Sequence, residues 1–515
     1  MPTARSWTDA PARHVTEARR AVADVGHLLR FRAGSVRRPL ALALGLTLFT
    51  VLTLSAAVVP GLLPGAGSDD GRARDVLVLL PTSFAAVVVI ALVSAVASGG
   101  GRELIARDPA AVHPVSPTTD HLGALLLAPL NVAWLLQAWG LLGATAFAVG
   151  WPRLAAAQVG VVLWLALATA VAQVVAWALE GVRRSWHGDA ALRVATAACL
   201  ASAIALQLAD ELVPLLDRLP TLEVVLRIAF GFSWDWAVAV AALLVALLAA
   251  VALGAVPAHV VARRVPREEV RAESGVRRWR PAPRSDVTAL LRVDRASVWR
   301  AVPIRRGIAV LAIGPGVVAL LGGLPWAQLA VLPGLVASGG ALLFGVNVWS
   351  LDGRGGRWRE SLPVAPGRVF DVRAWVLAEL LLAAAVGTLA VGGLRSGVPS
   401  RVELVAVLCV LVVVVLQVVG AAMRWSLARP YAVDLRSARA TPAPPLTMVG
   451  YSTRLALSTT FTALLFSVLA GGAPPLLTLL AATACCCWSG FRLARTRRRW
   501  CDPDARARVV MTAAA

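Results

Sequence analysis

Long runs without a single arginine, aspartate, glutamate or histidine recur along this chain, and they constrain its fold more than any other feature. A helix that crosses a bilayer needs about 20 mostly apolar residues, because the hydrocarbon core is roughly 30 Å thick. Residues 39–68 and 76–101 each suffice for one span, and 122–152 and 154–179 form a second pair broken at Trp151-Pro152-Arg153. Residues 194–209 are short for a span, whereas 237–258 are ample. The stretch 307–351 is long enough for two helices turning at Gly322-Gly323-Leu324-Pro325, and 455–491 for two hinged at Gly471-Gly472-Ala473-Pro474-Pro475. Residues 374–394, with one acid at Glu379, and 404–423 complete about 12 transmembrane helices in an all-α polytopic membrane protein. Composition agrees: 58% of the 515 residues are hydrophobic and 15% charged, with mean hydropathy +0.73. Those values exclude a soluble enzyme domain and a disordered scaffold.

Arginine placement sets the expected topology. With both termini cytosolic, 43 arginines fall on the cytosolic side and 7 outside, the bias expected because positive loops resist translocation. All 50 basic residues are arginine. A lysine-free chain rich in Ala, Val, Leu and Gly fits a GC-rich bacterial genome, and the expected location is the bacterial plasma membrane. The chain can supply no P-loop lysine, so any ATP hydrolysis belongs to a partner. The net charge of +21 is concentrated at span ends, where anionic headgroups are the expected partner and nucleic acid is not. The first 38 residues are too long and too arginine-rich for a conventional cleaved signal peptide.

The chain also repeats itself. Asp24-Val25-Gly26-His27-Leu28-Leu29-Arg30 and Ser35-Val36-Arg37-Arg38 precede the first span. Asp286-Val287-Thr288-Ala289-Leu290-Leu291-Arg292 and Ser297-Val298-Trp299-Arg300 precede the seventh. At an offset of 262, eight of the fifteen positions from 24 to 38 match. After the second span of each half come His113-Pro114-Val115-Ser116-Pro117 and Leu362-Pro363-Val364-Ala365-Pro366, and a weaker echo pairs Gln173-Val174-Val175 with Gln417-Val418-Val419. The expected organisation is therefore a parallel 6+6 tandem repeat: a cytosolic segment with an amphipathic helix (1–38), a six-span unit (39–262), a basic linker with a second amphipathic helix (263–306), a second six-span unit (307–491) and a basic tail (492–515). Helical spacing of apolar residues among arginines predicts that both amphipathic helices lie in the membrane interface, their stripes dipping into the headgroups.

The cytosolic loops after spans two and eight are short charged segments, Gly101 to Asp108 and Asp352 to Leu362, each brought to a proline-framed corner. Proline fixes the backbone and disfavours helix at the residue before it, so each loop is a short element held at a rigid corner.

At these residues the sequence resembles a type-2 ABC exporter permease. That family opens each six-span unit with an interfacial connector helix and places a short coupling helix between spans two and three. The resemblance implies that Leu28, Leu29, Arg30, Leu290, Leu291 and Arg292 belong to connector helices. It implies that Arg102, Glu103, Arg107, Pro114 and Pro117, with Arg359, Glu360, Pro363 and Pro366, face ATP-binding subunits, expected in two copies, which would carry the ATP and Mg. The fused double unit implies both membrane halves in one polypeptide, moving a substrate such as a lipid, hydrophobic peptide or drug out of the cell. Such permeases often carry external helices between spans five and six, and Leu212, Leu215, Leu216, Leu219 and Leu222 are spaced for one, without a counterpart in the second half.

Catalytic chemistry is sparse. The six histidines show no metal-ligand spacing, there is no Cys-x-x-Cys, and Cys485-Cys486-Cys487 reads as small apolar packing inside a span. No catalytic residue, metal or cofactor is assigned to this chain. Glu379 is the one candidate for a functional carboxylate within the hydrocarbon, where ionisable groups are costly, with a pairing to a neighbour as the structural alternative. Two rival readings stay open. A major-facilitator-like secondary transporter shares the span count and the basic central linker, and Asp352-Gly353-Arg354-Gly355-Gly356-Arg357 resembles a loop of that family. A membrane-embedded transferase would need an external acidic loop, for which Asp69-Asp70 is the one hint.

Overall fold

The computed structural model describes residues 10–34, 39–69, 71–97, 115–130, 132–209, 211, 214–215, 218–264, 281–343, 345–353, 355–433 and 445–514. Among the described residues all regular structure is helical, and nine segments are long and apolar enough to cross a membrane. The protein is thus a helical, multi-pass membrane protein. Three further apolar segments of the first half, Leu46–Leu62, Gln137–Val149 and Ala190–Cys199, are shorter by that measure and belong to helices that begin at Pro39, Val132 and Gly188.

The chain divides into two compact units, Met1–Val276 and Arg277–Ala515. The first contains α1 (Ala10–Gly34), α2 (Pro39–Val58), α3 (Arg72–Ala97), α4 (Pro117–Leu127), α5 (Val132–Val149), α6 (Leu154–Arg183), α7 (Gly188–Leu208), α8 (Thr221–Ala229) and α9 (Trp234–Ala262). The stripe of α1, with Ala21 and Val25 buried and Leu28 and Leu29 half-buried, is seated against α4, where Leu122 and Leu127 meet it. Glu17 approaches His259 Nε2 at 3.2 Å, and that nitrogen lies 3.0 Å from Thr118 Oγ1, so α1, α4 and α9 meet through polar contacts at one end. The core is built from α3, α5 and α6 around Phe84 and Trp164, whose indole donates to Phe84 O at 3.0 Å. The amphipathic element expected between spans five and six differs from its expected form. Its helix is α8, whose buried stripe is Thr221, Val225, Ile228 and Ala229, while Leu215, Leu219 and Leu222 are exposed and Leu212 and Leu216 lie outside the described residues. Ile228 is the anchor that shifts the stripe, because it fits against Gly160, where any Cβ would come within 2.6 Å.

The second unit contains α10 (Asp286–Arg300), α11 (Val302–Leu321), α12 (Trp326–Leu329), α13 (Leu332–Leu343), α14 (Gly355–Glu360), α15 (Pro366–Gly392), α16 (Arg401–Ala428), α17 (Pro445–Ala470), α18 (Pro475–Cys501) and α19 (Pro503–Ala513). The two expected hinges are present: α11 ends before Gly323, which takes a φ of +58°, and α17 ends before Gly472, at +146°. Helices α11 and α15 approach closely, as small residues allow in membranes. A Cβ on Gly316 would lie 2.5 Å from Thr388 O, and Thr388 Oγ1 donates to Leu311 O at 2.7 Å. Helix α10 is not simply an interfacial anchor: Leu290, Asp294 and Val298, spaced i, i+4, i+8, are buried against protein, whereas Val293 and Trp299 are exposed.

Several internal pairings recur in each unit considered by itself, whereas the pairings of α13 with α11 and with α17 in the second are without a comparable counterpart among the described residues of the first. The amphipathic helix packs on the helix that begins at the last proline of the Pro-Val-x-Pro corner, α1 on α4 and α10 on α15. In span order, the pairings α2 with α5, α3 with α5 and with α6, α5 with α6, α6 with α7, and α6 with α9 recur as α11 with α15, α13 with α15 and with α16, α15 with α16, α16 with α17, and α16 with α18.

Candidate partner-coupling site

Between α13 and α14 the chain leaves the helical path while fully buried. Asn347 has φ −151° and ψ 69°, and residues Gly345 to Ser350 are all inaccessible to solvent. Buried backbone polar groups need partners. Ser426 accepts from Val348 N at 2.9 Å and donates to Gly345 O at 3.1 Å, and Asn347 Nδ2 donates to Tyr431 O at 2.9 Å. Arg373 Nη1 donates to Val348 O at 2.7 Å. Irregular backbone at membrane depth is tolerated where protein covers it in this way.

Arg373 also anchors a buried charge cluster. Its Nε reaches Asp294 Oδ2 at 2.9 Å, and its Nη2 reaches Asp294 Oδ1 at 3.0 Å and Asp352 Oδ1 at 2.7 Å. Arg359 Nη1 donates to the same two Oδ1 atoms, at 2.9 Å each. Arg373 is 1% exposed and Asp294 fully enclosed. Two arginines and two aspartates leave no net charge, which is what permits so many ionised groups away from water. Burial pushes the Asp294 carboxyl up, but the Arg373 and Arg359 guanidinium groups outweigh it and hold the carboxyl below the usual carboxylate range.

Aromatic stacking extends the cluster to the carboxy terminus. The Arg373 guanidinium lies 5.4 Å from the Trp349 ring centroid, and Trp349 stacks on Trp500 at 3.7 Å with 2° between planes. Trp500 Nε1 donates to Pro366 O at 3.1 Å. On α19, Arg506 Nε donates to Glu360 Oε2 at 2.8 Å, and Val509 is buried. Trp349, Asp352, Arg359, Trp500 and Val510 line a cavity of about 10 Å³, roughly the room one water needs. The assembly therefore joins α10, the buried break, α14, α15, α18 and α19 at one end of the second unit. The short helix α14 is thereby held to both α10 and α15.

The residues expected to serve coupling distribute unevenly over this geometry. Arg359 is turned inward to Asp294 and Asp352 and presents no charge outward. Glu360 is engaged by Arg506, and Pro363 is exposed. The outward face of α14 is instead Arg357 and Trp358, the latter 66% exposed. Pro366 begins α15, and Pro117 begins α4 behind Ser116, whose side chain accepts from Thr119 N at 3.0 Å. Arg102, Glu103, Arg107 and Pro114 lie outside the described residues. On α10, Leu290 is buried, Leu291 packs at the edge of the core, and Arg292 donates to Pro281 O at 2.8 Å; Arg30 on α1 is exposed. Glu379 accepts from Arg295 Nε and Nη2 at 3.0 and 2.7 Å, a partly exposed pair joining α15 to α10. No group of three or more potential metal ligands occurs among the described residues. Asp294, Asp352 and Arg373 were not singled out by sequence; an acid in the middle of a buried apolar stripe was the available sign.

Comparison with protein-family models, with curated proteins and with solved structures gives no match for this chain.

Proposed function

We propose that the protein is the membrane permease of an ATP-driven exporter, with two six-span units fused in one chain and ATP hydrolysed by separate subunits. The observation that carries this reading is the neutral Asp294–Asp352–Arg359–Arg373 cluster, which fastens a short loop helix with an exposed Arg357-Trp358 face to both an amphipathic helix and a membrane helix. That is the connection a force-receiving loop needs. The nine long and three shorter apolar segments fall six to each unit, and the shared helix pairings support a parallel repeat. In this scheme closure of the ATP-binding subunits pushes on α14 and on the loop before Pro117, rocking the helices to release a substrate outward.

The test is gentle purification of the tagged chain from its native membranes. A stoichiometric partner carrying Gly-x-x-x-x-Gly-Lys-Ser/Thr is expected. Trp358→Asp should lose that partner while keeping the thermal stability of the parent. A chain that purifies alone in several mild detergents refutes the proposal and favours a secondary transporter.

A further inference from the structure

Carboxylates neutralise many arginines of the second unit: Arg295, Arg359, Arg368, Arg373, Arg497 and Arg506 each hold an acid. Arg424 of α16, Arg454 of α17 and Arg492 of α18 break that pattern. They come from three helices packed on one another through α16, where Trp425 lies 5.3 Å from Tyr451 of α17 and Gly420 faces Ser489 of α18, so the three arginines stand near one level, and no hydrogen bond or ion pair within the described structure holds any of them. All three are exposed.

Their depth identifies what they face. Arg492 follows the apolar part of α18; Trp488, one turn toward the membrane on the same face, and the adjacent Phe491 are each 63% exposed. Arg454 is followed along its face by Leu457 and Phe461, 57% and 69% exposed. Exposed aromatics and aliphatics of this kind mark the level where acyl chains give way to headgroups. The triad lies about 12 Å before Trp500 along α18, by the helical rise, and so on the membrane side of the buried charge cluster. A cytosolic protein would have to reach down to the bilayer surface to meet it, whereas a lipid phosphate is already there. Guanidinium groups also match phosphate oxygens in geometry, donating two parallel N–H groups.

We infer that Arg424, Arg454 and Arg492 form a binding site for the phosphate of an anionic phospholipid in the leaflet on the side of α19. Three guanidiniums on one headgroup replace mutual repulsion by attraction and fix the ends of α16, α17 and α18 relative to one another. The site requires a membrane but not an ATP-binding partner, so it stands apart from the exporter proposal.

The full-length protein is tested in nanodiscs of phosphatidylcholine doped with phosphatidylglycerol, with retained lipid counted by native mass spectrometry. Each arginine near an anionic surface contributes roughly fivefold in occupancy, so the triple variant R424Q/R454Q/R492Q should bind phosphatidylglycerol on the order of a hundredfold more weakly. The control R495Q/R498Q/R499Q removes the same charge from α18 about 5–10 Å farther from its apolar part, where screening weakens the attraction, and should lose clearly less binding than the triple variant. If the triple variant does not fold, R492Q alone should still lose about fivefold. Equal retention by the triple variant and the control overturns the inference, as does equal retention of phosphatidylglycerol and phosphatidylcholine by the parent. Displacement of the lipid by millimolar inorganic phosphate would assign the triad to a soluble anion and overturn the lipid assignment; persistence of the lipid is expected.

Discussion

Replacing Asp294 gives the sharpest test of the buried cluster. Its two oxygens accept three hydrogen bonds from Arg373 and Arg359, so Asp294→Asn leaves two guanidinium groups facing Asp352 alone. Arg373 is 1% exposed and the Arg359 side chain 8%, so water cannot take over the lost charge. Breaking a buried pair by removing one partner typically costs about 3–5 kcal/mol, against about 0–1 kcal/mol for an exposed pair. Equilibrium unfolding of the purified protein in mixed micelles of rising dodecyl sulfate content would measure the loss. Arg359→Met should partly rescue Asp294→Asn, because one carboxylate would again face one guanidinium and a flexible apolar chain would fill the space. Two contacting residues of one network should show a coupling of about 0.5–3 kcal/mol in the double-mutant cycle. A single variant within about 1 kcal/mol of the parent, or a double variant whose loss is the sum of the two single losses, would refute the claim that the cluster acts as a balanced unit.

Two further outcomes follow from the same geometry. Exchanging charges across Glu360 and Arg506 should cost on the order of 1 kcal/mol in either single variant, E360R or R506E, because the pair is partly exposed, and the double exchange should recover most of it; non-recovery would mean that α19 is held by its apolar face alone. Acid should erase the advantage of Asp294. A carboxyl whose folded value is depressed contributes stability above its unfolded value, near 3.9, and loses it as pH falls through the folded value. The stability gap between the parent and Asp294→Asn should therefore be constant from about pH 7 to 5 and shrink below about pH 4. A gap that holds at pH 3 would assign the loss to packing instead of charge.

Much of the fold was legible because the bilayer imposes a simple requirement on sequence. Charge-free runs located the long helices, and Gly-Gly-Leu-Pro and Gly-Gly-Ala-Pro-Pro located the hinges, since glycine supplies the positive φ and proline opens the next helix. The amphipathic helices were visible as well, but not what covers them. Periodicity reports that a stripe is apolar and is silent on whether lipid or protein meets it, and for α10 the answer is protein. The buried charge cluster was hidden for a different reason. Its members are brought together across separations of 79 residues between Asp294 and Arg373 and 65 between Asp294 and Arg359. Asp294 looked like one charge among many on an arginine-rich helix. Only its position four residues from both Leu290 and Val298 sets it apart.

That position also bears on why the cluster is ionic at all. A well-packed apolar replacement of a buried ion pair is often as stable, so stability alone does not explain two arginines and two aspartates beneath a surface helix. What charges add is register. Apolar side chains tolerate sliding past one another, whereas the bidentate contact of Arg373 with Asp294 is satisfied in one alignment of α10 against α15, and the bridges of Arg359 in one seating of α14. A displacement of α14 by even one helical residue, about 1.5 Å along the axis, would leave buried charges unmatched unless α10 and α15 moved with it. The cluster therefore makes separate motion of these three elements costly and joint motion cheap. Among the described residues of the first unit, α1 meets α4 and α9 through the partly exposed Glu17 beside His259 and through a small apolar patch. On this reasoning Asp294→Asn should loosen α14 from α10 and α15 together, which hydrogen exchange of the three helices would read as a joint loss of protection; a loss confined to α14 would refute it.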